Sequence, residues 1–277
     1  MFIKGMYGFG DNIYQRAFVR HFPDAYIETP FPELYQDLGI KCVRKDTTLR
    51  TQQKNIRKSS YQWHKAPAGS IIQVGYGDLQ LRQGSIIDAM KRTFKVNPVF
   101  DLPDCGKSPV RSKKPIAVIR PVTHRKEWLN TARSPLPEYV CIAADILRQK
   151  GFHVVSIADV DGVNEWIEGG LPNADEYYHN GELTFIELLA LVKSAAIVVG
   201  GVGWIVPACI SAGTAGFFIL GGNGAHNAPE KITSPEMDLS KIGWAKPDNF
   251  CMCNVKQHNC DKTIRGFDEK FRAFLDR

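Results

Sequence analysis

Gly8-Phe9-Gly10-Asp11-Asn12 stands directly behind the first apolar run, Phe2 to Tyr7, and just ahead of Ile13, Ala17 and Phe18 at helical spacing. Strand, turn and helix in that order put the Asp11 carboxylate where open α/β sheets gather their ligands. An aspartate there can cap the helix or accept a proton. A second turn, Gly200-Gly201-Val202-Gly203, follows the apolar run Ala196 to Val199 and precedes an apolar helix from about Trp204 to Ser211. Its small residues let backbone amides and a helix dipole approach a diphosphate, although tight connections use glycine for their own sake. The third segment, Arg120 to Trp128 behind Ile116-Ala117-Val118-Ile119, holds Arg120, Thr123, Arg125 and Lys126. Three fixed cations and a hydroxyl at the end of a buried strand suit the neutralisation of a departing diphosphate; a solvated basic loop is the plainer alternative.

The surrounding pattern must position these turns. In the first half, Ala25 to Glu28, Ile40 to Val43 and Ser70 to Val74 read as strands between helical or polar stretches. Gly106 to Pro115, with two prolines and four basic residues, reads as a linker. The rhythm then restarts: helix from Leu136 to Lys150, strand at His153 to Ile157, helix from Thr184 to Ser194, strand at Gly216 to Leu220. Alternation of this kind predicts an α/β protein with parallel sheets. At 277 residues and 44% hydrophobic content, the chain can fill two cores. The expected division is 1–110, 116–265, and a terminal helix, 266–277, whose phenylalanine stripe (Phe267, Phe271, Phe274) packs, with the first domain as one candidate surface.

The charge is uneven. Residues 1–115 carry 19 Lys and Arg against 10 Asp and Glu, whereas 116–277 carry 16 against 19, so the first domain alone attracts polyanions. Its cations concentrate between Lys41 and Lys65, where Lys54, Arg57 and Lys58 are followed by Tyr61 and Trp63. Cations with interleaved aromatics suit nucleic acid, although a polar helix face also accounts for such runs. Seven cysteines, an odd number, argue against a disulfide framework and for a reducing compartment, the cytosol. No apolar run is long enough to span a bilayer. Cys251, Cys253, His258 and Cys260 could bind zinc, but the tight Cys-x-Cys spacing favours buried free cysteines. A dinucleotide fingerprint fails at Ile13, where a small residue is needed.

Together these motifs resemble glycosyltransferase family 9, the heptosyltransferase-like enzymes of two-domain GT-B architecture. The resemblance spans nearly the whole chain, but each motif is short. It rests on Gly8-Phe9-Gly10-Asp11, on the loop from Arg120 to Trp128, and on the helix and strand from Leu183 to Gly200. The resemblance implies two Rossmann-like domains facing a cleft and Asp11 as the base that deprotonates an acceptor hydroxyl. It implies a nucleotide-sugar donor, a UDP- or ADP-sugar, held by Arg120, Thr123, Arg125, Lys126 and Gly200 to Gly203, with no cofactor and no catalytic metal. One departure stands out: the family's Asp-[Ser/Thr]-Gly donor loop and its following histidine are missing from Gly200 to Pro207. The acceptor side is assigned to Gly10, Asn12, Lys54, Arg57, Lys58, Tyr61 and Trp63. Hydroxymethylated DNA, as base-modifying transferases of bacteriophages use, is the preferred acceptor; a phosphorylated glycan such as lipopolysaccharide core is the alternative. A non-catalytic nucleic-acid-binding protein on a degenerate transferase scaffold is the reading of another class.

Overall fold

A computed structural model describes residues 1–277. The first sheet holds β1 (Phe2–Lys4), β2 (Tyr26–Thr29), β3 (Lys41–Arg44) and β4 (Ile71–Gln73). All are parallel, in the order β3-β2-β1-β4, with Ile3 beside both Ile27 and Ile72. Helices α1 (Phe9–Val19), α2 (Arg50–Lys58), α3 (Asp78–Arg82) and α4 (Ile86–Phe94) accompany it. The strand order reverses between β1 and β4, so the crevice of this sheet opens where β1 and β4 end. Asp11 follows the first of these strands and Tyr76 the second.

The second sheet is built from β5 (Ile116–Arg120), β7 (His153–Ile157), β9 (Glu176–Tyr178), β10 (Ile197–Gly201), β11 (Gly216–Ile219) and β12 (Ile242–Ala245). These are parallel too, in the order β12-β11-β10-β5-β7-β9. Its reversal lies between β5 and β10, so Arg120 and the turn at Val202 and Gly203 flank the second crevice. A short antiparallel pair, β6 (Thr123–Arg125) with β8 (Glu165–Ile167), stands beside it. The helices here are α5 (Pro137–Gln149), α6 (Phe185–Ser194), α7 (Ile205–Ala212), α8 (Gly224–Asn227), α9 (Pro229–Ile232) and α10 (Phe267–Leu275). No helix is long and apolar enough to cross a membrane.

One apolar core joins both sheets. It runs from Ile3, Ile13, Phe18 and Ile27 through Phe9 and Val206 to Val118, Val198 and Phe218. The junction is α1 against α7, where the Phe9 ring lies 4.5 Å from Phe185 and 5.1 Å from Trp204. Gly10 permits it, because a Cβ there would stand 3.1 Å from the Trp204 Cα.

A second core covers the other face of the larger sheet. There α10 corrects the expectation that the terminal helix packs across the first domain. Phe271 lies 4.9 Å from Phe217, Phe274 lies 5.1 Å from it, and Phe267 lies 4.8 Å from Tyr139. The phenylalanine stripe therefore fills the apolar face that β11 and α5 leave open.

Candidate active site

The two crevices face each other across a cavity of about 520 Å³ lined by both sheets. Asp11 sits in its floor, in the first turn of α1 but not at the cap. Gly8 is the N-cap, and its amide bonds the Asp11 carboxylate. The Tyr76 hydroxyl donates to Asp11 Oδ1 at 2.5 Å. Burial pushes the Asp11 carboxyl up, while the hydrogen bond from Tyr76 and the positive charge of Arg133 hold it partly down. Burial and the nearby Asp11 charge push Tyr76 well up, so its phenol stays protonated and donates.

Arg120 and Arg133 line the same cavity. Arg120 donates to Thr123 Oγ1 at 2.7 Å, and neither arginine has a carboxylate partner within ion-pair distance. Burial, then repulsion from Arg133, brings Arg120 down to about 10, and burial also lowers Arg133. Two neighbouring guanidinium groups with free donors and a shared electrostatic cost make a site that favours an anion.

Not every expected ligand reaches the cavity. Gly10, Lys54, Lys58, Thr123, Arg125, Val202 and Gly203 line it. Arg125, however, is committed to Glu165 at 2.6 Å, and Lys54 to Asp159 at 3.3 Å. Lys126 lies outside the lining, exposed in a 3-10 turn. Gly200 and Gly201 belong to β10 and do not line the cavity. A Cβ on Gly200 would stand 2.9 Å from Ile205, and one on Gly201 would stand 3.1 Å from Pro135, so their smallness serves packing. Asn12 is fully buried and staples the turn: its Nδ2 donates to Met6 O and Gly8 O, and its Oδ1 accepts from Thr29 and Gln15. It cannot touch an acceptor.

The basic segment also divides. Arg50 pairs with Asp159, Asp161 and Glu165 across the cavity, and Lys45 is buried beside Glu28. Tyr61 and Trp63 lie away from the cavity, their rings 5.4 Å apart, with the Tyr61 hydroxyl accepting from the Cys42 amide. Arg57 lines a separate surface depression with Arg44, Tyr7 and Trp128.

Tyr76 and Arg133 escaped the sequence reading. Tyr76 had a signal: Gly75-Tyr76-Gly77-Asp78 behind β4 repeats the Gly-aromatic-Gly-Asp pattern of Gly8 to Asp11 behind β1. Asp78 of this second copy turns to the other half of the chain: it pairs with His226 of α8 at 2.7 Å and accepts from Asn254 Nδ2 at 3.5 Å. Arg133 stands in the extension of the same loop that carries Arg120, five residues beyond Trp128.

No protein-family model and no curated protein matches the sequence. Solved structures do resemble it. The dodecameric iron-containing heptosyltransferase TibC, in complex with ADP-D-β-D-heptose, matches 99% of this chain and 76% of its own at 16% identity, with a TM-score of 0.60. The E. coli ADP-heptose LPS heptosyltransferase II matches 99% and 98% at 12% identity, TM-score 0.58. The family 9 glycosyl transferase from Veillonella parvula DSM 2008 matches 83% and 81% at 10% identity, TM-score 0.53. The chain has the GT-B fold. Two α/β sheets facing a cavity at their carboxyl ends are what that architecture requires.

Away from the cavity, three cysteines and a histidine form a cluster. Cys251, Cys253 and Cys260 are half-buried, His258 is exposed, and their ligand atoms all lie within 4.8 Å of one another. The three cysteines are free, as expected, but half-buried where burial was expected. His258 Nδ1 stands 3.5 Å from Cys251 Sγ and 3.3 Å from Cys260 Sγ, and the sulfurs of Cys253 and Cys260 are 3.7 Å apart. A tetrahedral ion with metal–sulfur bonds of about 2.3 Å has sulfur–sulfur edges of about 3.8 Å and sulfur–nitrogen edges of about 3.5 Å. The three short separations match the edges of such an ion, and all four residues lie outside the cavity lining.

Proposed function

We propose that this chain is an inverting glycosyltransferase that uses a nucleotide sugar, with an ADP-sugar favoured over a UDP-sugar. The observation that carries the reading is Asp11 lining one cavity together with the unpaired Arg120 and Arg133. An acceptor hydroxyl enters beside Asp11, which takes its proton as the oxygen bonds to the anomeric carbon. The bond from that carbon to the diphosphate breaks with its electron pair, and configuration inverts. Arg120, Arg133, Thr123 and the amides at Val202 and Gly203 stabilise the departing diphosphate. An ion at Cys251, Cys253, His258 and Cys260 would supply structure, since it would stand outside the cavity.

For the acceptor we favour a phosphorylated glycan. The relatives named as LPS and ADP-heptose enzymes support it. The case for DNA weakens because Tyr61 and Trp63 lie off the cavity and Arg50 and Lys54 are already paired. None of the seven cysteines is joined in a disulfide, which suits a reducing compartment such as the cytosol.

The test is a mass-spectrometric screen of ADP- and UDP-sugars against phosphorylated core glycans and hydroxymethylated DNA. Transfer to a glycan that Asp11→Asn abolishes, with ADP affinity retained, is the expected result. Transfer unaffected by Asp11→Asn overturns the mechanism, and transfer to DNA alone overturns the acceptor.

A further inference from the structure

No residue from Phe250 to Thr263 is buried, and the segment has no helix or strand. Met252 is 51% exposed and Val255 is 47% exposed. Burial of apolar surface therefore does not fold this loop, and closing it costs chain entropy that something must offset.

The loop is nonetheless hydrogen-bonded to two segments that carry cavity-lining residues. The Cys251 carbonyl accepts from the Gly224 amide at 2.9 Å, and the Cys253 carbonyl from Ala225 at 3.3 Å. Asn223 Nδ2 donates to the Val255 carbonyl at 3.0 Å, and the Ala132 amide donates to the Lys256 carbonyl at 3.0 Å. Gly222 closes the set: its amide donates to the Ala132 carbonyl at 2.6 Å, and a Cβ on it would stand 2.3 Å from Cys260 Sγ. The loop thus bridges the turn behind β11 and the segment behind β5. Arg133 adjoins Ala132, and Asn223 and His226 belong to the bridged turn; all three line the cavity.

We infer that Cys251, Cys253, His258 and Cys260 hold one tetrahedral transition-metal ion, zinc or iron, and that this ion acts as a clasp fixing Arg133 and Asn223 in the cavity wall. Thiolate and imidazole ligands select such ions, and ligand binding by groups that the unfolded loop cannot preorganise is itself folding energy for the loop. The ion touches no substrate. It sets where the Arg133 backbone sits, and so how well the guanidinium meets a diphosphate. The link to nucleotide rests on the proposed activity; the ion and its ordering of the two segments do not.

The experiment begins with elemental analysis of the purified full chain, followed by chelation and return of zinc or iron(II). One equivalent of metal per chain is expected, and cobalt(II) returned to the chelated protein should give the thiolate charge-transfer and ligand-field bands of a tetrahedral site. Chelation should speed hydrogen exchange at 130–134 and 221–226 and weaken ADP binding roughly tenfold, an ordinary coupling between two sites. Returned metal should restore both. Because Cys253→Ser with Cys260→Ser could misfold, it serves only as a metal-binding control, and the chelated wild type carries the coupling measurement. No stoichiometric metal and no cobalt spectrum, or a Cys253–Cys260 disulfide in its place, overturns the site. Bound metal whose removal leaves exchange at both segments unchanged overturns the clasp. Absence of ADP binding in every state, with the exchange response intact, instead rejects the ADP-sugar reading.

Discussion

The Tyr76 hydroxyl, behind β4, donates a 2.5 Å hydrogen bond to the Asp11 carboxylate, behind β1. The two residues occupy equivalent turns on either side of the point where the first sheet reverses its strand order. A buried phenol that stays protonated is a suitable partner for a carboxylate that has to ionise away from bulk water.

Asp11→Asn should lower transfer on the order of 10²- to 10⁴-fold, the usual contribution of a general base, while leaving nucleotide affinity intact. The same change should stabilise the fold by roughly 0.5–2 kcal/mol at neutral pH, because it removes a charge that the cavity tolerates poorly. Asp11 is held above the ordinary aspartate value of 3.8, so the folded state binds the extra proton. Its contribution to stability is therefore lost as pH rises from about 4 through the raised value. Thermal midpoints of wild type and variant across that range should diverge as pH rises; curves that stay parallel would contradict the raised carboxyl.

Tyr76→Phe should move the acidic limb of the pH–rate profile upward. Its hydrogen bond favours the ionised carboxylate, and without it Asp11 needs a higher pH to lose its proton. A profile measured as kcat/KM against pH reads this directly. An unmoved limb with merely lower activity would mean that Tyr76 acts only through packing.

Arg133→Met should reduce kcat/KM on the order of 10²-fold, the scale of losing one preorganised charge donor, and weaken ADP binding. Arg120→Met should behave alike, since both guanidinium groups lack carboxylate partners. Calorimetric titration with ADP checks both variants; wild-type affinity in either removes that residue from the donor site.

Arg50→Met should cost about 1–3 kcal/mol by breaking charge-assisted bonds to Asp159 and Glu165, the latter only 7% exposed. Denaturant melts should show the difference from wild type shrinking as salt rises, because the wild-type pairs are screened. A constant difference would assign the loss to packing of the Arg50 stem instead.

Much of this molecule is legible from the order of its residues. The apolar runs at Ile116, His153, Ala196 and Gly216 each mark a strand of the second sheet, and the capped stretch behind Thr184 is α6, with Thr184 accepting from the Glu187 amide. Asp11 and Gly203 are recognisable because each follows a strand, and Arg120 because it ends one. Which turns meet is another matter. Tyr76 meets Asp11 only because β4 inserts beside β1, a pairing between positions almost seventy residues apart that no local pattern encodes. The basic run from Lys41 to Lys65 misled for the same reason, since the acids that neutralise Arg50 and Lys54 lie more than a hundred residues downstream. Cys251 to Cys260 were readable as ligands but not as a cluster, because their convergence depends on the glycine turn at Gly222.

The apolar seam through Phe9, Phe185 and Trp204 gives the chain a mechanical indivisibility. Cutting it between the sheets would yield two sticky fragments, each exposing aromatic surface, in place of two autonomous modules. Swapping one half for that of another protein of this fold would therefore have to carry α1, α6 and α7 across as a matched set.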